Sequence, residues 1–196
     1  MRRMICVSVV CLVTACAVSK VDPLAVPLAY KPDTRPMAAA RTSSCSTVSR
    51  VEVEDLRGDK VLGVRFLEGK PLKAEVTAAS DPATWVRDGT QAFLSRSGIA
   101  FAPNGPKLLV ELRVLWTEEN VWHRSGYAAK LSLMARLQSP SGKMCMEQLV
   151  AGKGGNYGYS GSVENYQETL NSALDDATQH LLDSPAFDSA LCQCGT

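Results

Sequence analysis

This chain of 196 residues has two histidines, the side chains most often used as a general base or a metal ligand at neutral pH. His180 falls near the end of a predicted helix, where a cation also suits the helix dipole. His123 follows Glu118 and Glu119 in a predicted loop between two strands, and two carboxylates with one imidazole could bind a divalent metal. Charged residues in such loops are usually solvated, so we expect no metal site, no cofactor and no enzymatic activity. A hydrolase would need a nucleophile held beside His123 in a cleft.

Two other polar groupings have the residue types for chemistry. The run 152–155, Gly-Lys-Gly-Gly, is similar to a phosphate-binding loop but lacks its Gly-Lys-Ser/Thr ending. We interpret these glycines as a sharp turn from a strand into a helix, and we expect no nucleotide. Asp55 and Arg57 stand at alternate positions and therefore share one face of a strand. We expect them to form a structural ion pair or a turn cap near Gly58.

The first 15 residues have the pattern of a leader that is removed. Arg2 and Arg3 precede an uncharged apolar run of 12 residues, 4–15, and a membrane-spanning helix needs about 20 residues. The ending Leu-Val-Thr-Ala-Cys, residues 12–16, resembles a bacterial lipobox, which implies that Cys16 becomes the first residue and carries diacylglycerol. Ala17, by resemblance to lipoprotein sorting, implies the outer membrane. The alternative is an ordinary signal peptide in which Cys16 is incidental.

Four cysteines remain after the leader is lost and Cys16 is acylated: Cys45, Cys145, Cys192 and Cys194. An even number in an oxidising compartment favours disulfides. A Cys192–Cys194 bond would close a very small, strained ring, so we expect Cys45 and Cys145 each to pair with one of these two. A four-cysteine zinc site lacks the usual Cys-x-x-Cys spacing and is the alternative, together with free thiols.

Charge and composition exclude some classes of function. The net charge is +1, and loss of Arg2 and Arg3 would leave 19 basic and 20 acidic residues. This balance argues against a nucleic-acid partner, which selects a strongly basic surface. A hydrophobic content of 45% is typical of a folded domain. The acyl group on Cys16 would therefore be the only membrane attachment that the sequence predicts.

Composition divides the chain into four segments. Residues 1–15 are the signal peptide, and residues 16–47 are the acylated cysteine with a proline-rich tether. Prolines at 23, 27, 32 and 36 favour an extended, solvated backbone there. At about 3.1 Å per residue, such a tether could hold the domain up to ~80 Å from the bilayer. Residues 48–187 form the domain, and residues 188–196 form a tail that carries two cysteines.

Apolar periodicity within the domain predicts strands and two helices. Alternate residues from Leu108 to Trp116, and from Tyr127 to Leu137, give each strand one apolar face and one more polar face that is expected to contact solvent. Asp81-Pro82 predicts the start of one helix, and Ser162 caps a second helix, which Pro185 stops. We expect an α/β (α+β) two-layer sandwich with a mainly antiparallel sheet of about 4–5 strands and two helices on one face.

The domain carries a series of short motifs, which are residues 53–58 with Gly63, residues 108–115, Gly142, residues 152–154 and residues 170–174. In this order they resemble the YajG-type bacterial lipoproteins. The resemblance covers about residues 48–183, with the lipobox in the expected place. It implies a fold and a cell-envelope location, and it implies no reaction.

Three aromatic residues in predicted loops are candidates for contact with a partner. They are Trp122, Tyr157 and Tyr159, although packing within the domain is the alternative for each. We expect a non-enzymatic, lipid-anchored cell-envelope protein that faces the periplasm and binds another envelope protein. The alternative is an auxiliary lipoprotein of a transport system that holds a lipid or other apolar ligand between sheet and helices. A periplasmic hydrolase is the third hypothesis.

Overall fold

The computed structural model describes residues 22–32, 45–66, 73–121 and 125–194. The predictions for Cys16, Trp122 and His123 lie outside the described residues. Nine strands and three helices occur in the described part of the chain: β1 Leu24–Val26, β2 Thr47–Val48, β3 Arg50–Asp55, β4 Val61–Phe66, β5 Lys73–Ala78, α1 Pro82–Arg96, β6 Ala100–Phe101, β7 Lys107–Val121, β8 Ser125–Gln138, β9 Met144–Gly158, α2 Val163–Leu182 and α3 Pro185–Cys194.

Seven strands form the main sheet, in the order β1-β5-β4-β7-β8-β9, with β3 paired to the first half of β7. The pairs β7–β8, β8–β9 and β4–β5 are antiparallel, whereas β1–β5, β3–β7 and β4–β7 are parallel. The strands β2 and β6 form a separate parallel pair. The two-layer α/β architecture is confirmed. The sheet is larger than predicted because β1 and β5 join it, and the cysteine-containing tail forms the third helix.

The helices α1 and α2 form where local signals predicted them. The Asp81 side chain accepts hydrogen bonds from the backbone N–H groups of residues 83 and 84, and Pro82 opens α1. Ser162 caps α2, whose buried stripe at Tyr166, Leu170 and Leu174 packs on the sheet. Both signals act over one turn of chain, so they are independent of the rest of the fold.

The second half of β7 presents the opposite face from the one predicted. Leu108, Leu112 and Leu115 are buried, and the pairing with β8 shifts between Leu112 and Val114. One extra residue in a strand turns every later side chain to the other face. Val114 and Trp116, which the alternation predicted to be inside, are therefore 44% and 38% exposed.

Residues 24–32 belong to the domain, so the prediction of a solvated tether is wrong for them. After β1 the chain crosses α1 and α2, and the side chains of Ser80, Gln167 and Asn171 bind the main chain of residues 27–29. The Tyr30 hydroxyl donates to Asp175 at 2.7 Å and accepts from Arg96 at 2.8 Å. Proline favours an extended chain, and this extended chain is bound rather than solvated. We call residues 27–32 the strap.

Candidate interaction site at the tyrosine end

Strand register divides the sheet into two ends of different character. At one end β4, β7 and β9 finish, and β5, β8 and α2 begin. We call this the tyrosine end, because Tyr157 and Tyr159 lie there. At the other end β7 begins and β8 turns into β9, and both disulfide bonds lie there. We call this the disulfide end.

Tyr157 and Tyr159 are 79% and 90% exposed, so they are surface residues rather than part of the core. Phe66 is partly exposed at the same end, and the Lys73 ammonium lies 4.8 Å from the centre of its ring. A cation at this distance is attracted by the face of the ring. The tyrosine end therefore presents amphipathic aromatic groups to its surroundings.

A buried carboxylate positions the chain that carries Tyr159. Glu119 is completely buried, and its oxygens accept hydrogen bonds from the Tyr166 hydroxyl at 2.9 Å and the Gly161 N–H at 2.8 Å, while the Tyr127 hydroxyl oxygen lies 3.3 Å from Glu119 Oε1. The Arg65 Nε atom lies 3.4 Å from Glu119 Oε2. A buried charge needs such partners, because its water shell is lost.

The same network holds the turn from β9 into α2. The Tyr127 hydroxyl donates to the Tyr159 carbonyl and accepts from the Ser162 N–H at 3.1 Å. The Tyr159 main chain is therefore fixed, while its ring faces solvent. Burial, then the neighbouring Glu119 charge, raises the pKa of Tyr166 well above its ordinary value, and burial raises that of Tyr127. Both phenols therefore stay protonated as donors.

Sequence reasoning missed Glu119, which was expected to be solvated together with Glu118. Glu118 is exposed, but Glu119 turns inward because of the register shift after Leu112. The adjacent apolar pair Val114-Leu115 is the signal in the sequence, since it interrupts the strict alternation. Tyr127 was recognised as an inward-facing residue, without its hydrogen-bonding role.

Two disulfide bonds, Cys45–Cys192 and Cys145–Cys194, close the disulfide end. They confirm that each cysteine of the tail pairs with one of the two cysteines outside it. The bonds join residues 147 and 49 positions apart. They attach α3 to the chain entering β2 and to the start of β9.

The face of β7, β8 and β9 that points away from the helices is uncovered by any other described part of the chain; we call it the open face. Its apolar side chains include Val114, Trp116 and Leu149, of which Leu149 is 60% exposed. Towards the disulfide end, Arg136 and Arg113 contact Glu111, and their hydrogen bonds lower the pKa of that carboxyl. An apolar patch bordered by charges is typical of a binding surface.

The glycines of residues 152–155 do not form the predicted turn, because β9 continues to Gly158. A Cβ at Gly152 or Gly154 would collide with the backbone oxygen of Ala173 or Thr169. These glycines therefore let α2 lie directly on the strand. The close approach fills the space between α2 and β9, where an apolar ligand was one expectation.

The remaining predicted polar residues have structural contacts. Asp55 and Arg57 form an ion pair at 2.7 Å, as expected, and hydrogen bonds from Arg57 help to lower the Asp55 pKa against the opposing effect of burial. His180 Nδ1 lies 2.8 Å from the Ala151 carbonyl, and Asp176 accepts from the Lys153 N–H at 2.9 Å. Side chains of α2 thus occupy main-chain groups along the outer edge of β9.

The described residues contain neither a cluster of metal-binding side chains nor a helix suited to cross a membrane. No three or more His, Cys, Asp or Glu side chains gather in a metal-binding arrangement within the ranges that the structure describes. No helix among those residues has both the length and the apolar character to cross a membrane.

Neither a protein-family model nor a curated protein matches this chain. The crystal structure of XCC0632 from Xanthomonas campestris, assigned to the family DUF330, is similar at a TM-score of 0.49 and 14% identity, covering 88% of this chain and 96% of that one. A minor lipoprotein from Acinetobacter baumannii is similar at 0.40 and 10% identity, covering 74% and 92%. A candidate lipoprotein from Caulobacter crescentus gives 0.42 and 13%, covering 77% and 92%. The YajG-type resemblance stays a prediction.

Proposed function

We propose that this chain is a non-enzymatic, lipid-anchored protein of the bacterial cell envelope that binds another envelope protein. Cys16 carries the acyl groups, and the outer membrane is the membrane that holds them. The observation that carries the binding role is the open face. There, a register shift turns Val114 and Trp116 out of the core and onto the same face of the sheet as Leu149, which lies two strands away on β9.

The open face has the make-up of a protein contact rather than of a catalytic pocket. Val114 and Trp116 stand in adjacent rows of β7, and their neighbours across the sheet are Ser132 and Lys130 of β8. The ion pairs of Glu111, Arg113 and Arg136 lie beside them and would limit which partner fits. The buried carboxylate of Glu119 is enclosed by protein groups, so we assign it a structural role.

The alternative, an apolar ligand held between the sheet and the helices, has less support. At Gly152 and Gly154 the helix α2 lies too close to β9 to admit even a methyl group. A cleft of about 590 Å³ does lie beside the strap and α1, lined by Leu28, Trp85 and Ala92 among others, but it opens on the outside of the helices.

Site-specific photo-crosslinking tests the proposal in the native cell envelope. A photoreactive residue at Leu149 should give a discrete protein adduct, because this side chain is 60% exposed on the open face. The matched control is Arg87, which is exposed on α1. No adduct at Leu149, or the same adducts at both positions, would contradict the role of the open face. Mass spectrometry of the N-terminal peptide tests acylation separately, and an unmodified Cys16 would contradict lipid anchoring.

A further inference from the structure

The direction of β1 in the sheet determines towards which end of the domain the chain runs to Cys16. Leu24 pairs with Val76, and the same row of the sheet continues through Gly63, Thr117 and Ala129. Because β1 is parallel to β5, the chain before Leu24 runs towards the end where β5 begins. That end is the tyrosine end.

Chain length then decides which end can face a membrane. Eight residues separate Cys16 from Leu24, so the two Cα atoms lie at most about 27 Å apart at ~3.4 Å per residue. From the row of Thr117 to the end of β7 at Val121 the distance is about 13 Å at ~3.3 Å per residue. The connection can therefore extend beyond the tyrosine end.

The disulfide end lies too far from Leu24 to be reached in the same way. From the row of Thr117 to Lys107, where β7 begins, the sheet extends about 33 Å. This distance exceeds the ~27 Å that residues 16–24 can span even when fully extended. With an acyl group on Cys16, the disulfide end cannot rest on the bilayer.

The side chains at the tyrosine end suit the boundary between lipid and water. Tyrosine is enriched at this boundary because its ring is apolar while its hydroxyl hydrogen-bonds to water and headgroups. Tyr157 and Tyr159 project there from a main chain that Tyr127 and Glu119 already fix, so little further ordering is needed on contact. Among the described residues at this end, the cation of Lys73 is offset by the exposed carboxylates of Asp22 and Glu164.

From these observations we propose that the tyrosine end is a bilayer-contacting surface, with Tyr157 and Tyr159 in the headgroup region of the membrane that holds Cys16. The inference rests on the acylation proposed above and adds an orientation to it. The strands then point away from the membrane surface rather than lying parallel to it, and the open face stays accessible to a protein partner. Because the described residues at this end have no excess of cations that would require an anionic lipid, a zwitterionic lipid is sufficient.

Depth-dependent fluorescence quenching tests this orientation on the full, acylated chain in phosphatidylcholine vesicles. A polarity-sensitive fluorophore is attached at Tyr159→Cys, the native cysteines being acylated or disulfide-bonded. The matched control is Asn104→Cys, an exposed position at the disulfide end, about 40 Å away. We expect doxyl-labelled lipids to quench the probe at position 159 and not the probe at position 104. Equal quenching at both positions, or none at position 159, would overturn the proposal.

A second measurement shows whether the tyrosines themselves hold this end on the lipid. With the fluorophore at Lys73→Cys, the double substitution Tyr157→Ser and Tyr159→Ser should reduce quenching, whereas Met144→Ser at the disulfide end should leave it unchanged. Undiminished quenching in the double variant would contradict contact by the tyrosines. Acylation is checked on the same samples by mass spectrometry. An acylated chain that sediments with vesicles without quenching would refute the orientation alone, whereas a chain without acylation would refute the proposed function.

Discussion

The two ends of this sheet are held together by different chemistry. At the disulfide end, two covalent bonds attach α3 to β9 and to the chain before β2. At the tyrosine end, a buried carboxylate and two phenols attach the start of α2 to β7 and β8. Covalent bonds mainly restrict the unfolded chain, whereas the Glu119 network acts only in the folded state. The disulfide end is thus stabilised by covalent cross-links, and the tyrosine end by folded-state contacts that fix the positions of its residues. Fixed positions are what an exposed contact surface requires.

Removal of the Cys45–Cys192 bond should have the largest effect on stability. The chain-entropy model gives about 5 kcal/mol for this loop and about 4 kcal/mol for the shorter Cys145–Cys194 loop. The paired substitutions Cys45→Ser with Cys192→Ser should therefore lower the free energy of unfolding more than Cys145→Ser with Cys194→Ser does. Urea denaturation of both variants measures the difference. A larger loss from the shorter loop would show that loop length does not govern this end.

Glu119→Ala should cost about 2–3 kcal/mol, because it leaves the half-buried Arg65 without its carboxylate partner and the buried Tyr166 phenol without its acceptor. Glu118→Ala is the matched control, since this neighbouring carboxylate is exposed on the open face, and we expect it to change stability by less than about 0.5 kcal/mol. Urea denaturation of both variants provides the comparison. Equal, small effects would mean that the Glu119 network contributes nothing to the tyrosine end.

Two glycines with positive φ, one at each end, allow the stability cost of the same substitution to be compared between the ends. Gly161 has φ +71° at the tyrosine end and Gly142 has φ +87° at the disulfide end, so alanine costs about 1–2 kcal/mol at either site. A Cβ at Gly161 would also displace the Arg65 guanidinium, whereas nothing lies within 4 Å of a Cβ at Gly142. We expect Gly161→Ala to be the more destabilising by about 1 kcal/mol in thermal or urea unfolding. Equal losses would show that Arg65 moves without cost.

The smallest effect is a pH dependence at the tyrosine end. The raised pKa of Tyr166 means that its stabilising effect is complete below pH 10.0, the ordinary pKa of tyrosine, and is lost as the pH rises towards the folded value. Tyr166→Phe should therefore cost about 1 kcal/mol near neutral pH and progressively less above about pH 10. Tyr157→Phe, at an exposed position, serves as the control in the same urea titrations. A cost that stays constant with pH would contradict the role of the phenol.

Local signals predicted α1, α2, the long strands and the disulfide chemistry, because each depends on a few neighbouring residues. The caps at Asp81 and Ser162 act within one turn, and the period-two pattern of β8 follows directly from burial of one face. The two cysteines of the tail could not bond to each other without strain, which left their partners elsewhere in the chain.

The features that sequence reasoning missed depend on contacts between distant segments. Burial of Glu119 follows from a single extra residue near Arg113, and β1 becomes a strand only because β5 offers it a parallel edge. The role of Gly152 is set by a helix that follows later in the chain. Each requires knowledge of what lies across the fold, which apolar periodicity does not contain.

The strap gives this protein a particular way of bearing mechanical load. An acylated Cys16 would transmit any pull between membrane and domain to residue 22 and then to β1, which pairs through only three residues. Beyond β1, however, the strap is bound by Ser80 next to α1 and by Gln167, Asn171 and Asp175 of α2. If the three-residue pairing of β1 gave way, tension would therefore pass next to the contacts that the strap makes at both helices, and these would resist it before the rest of the sheet was loaded.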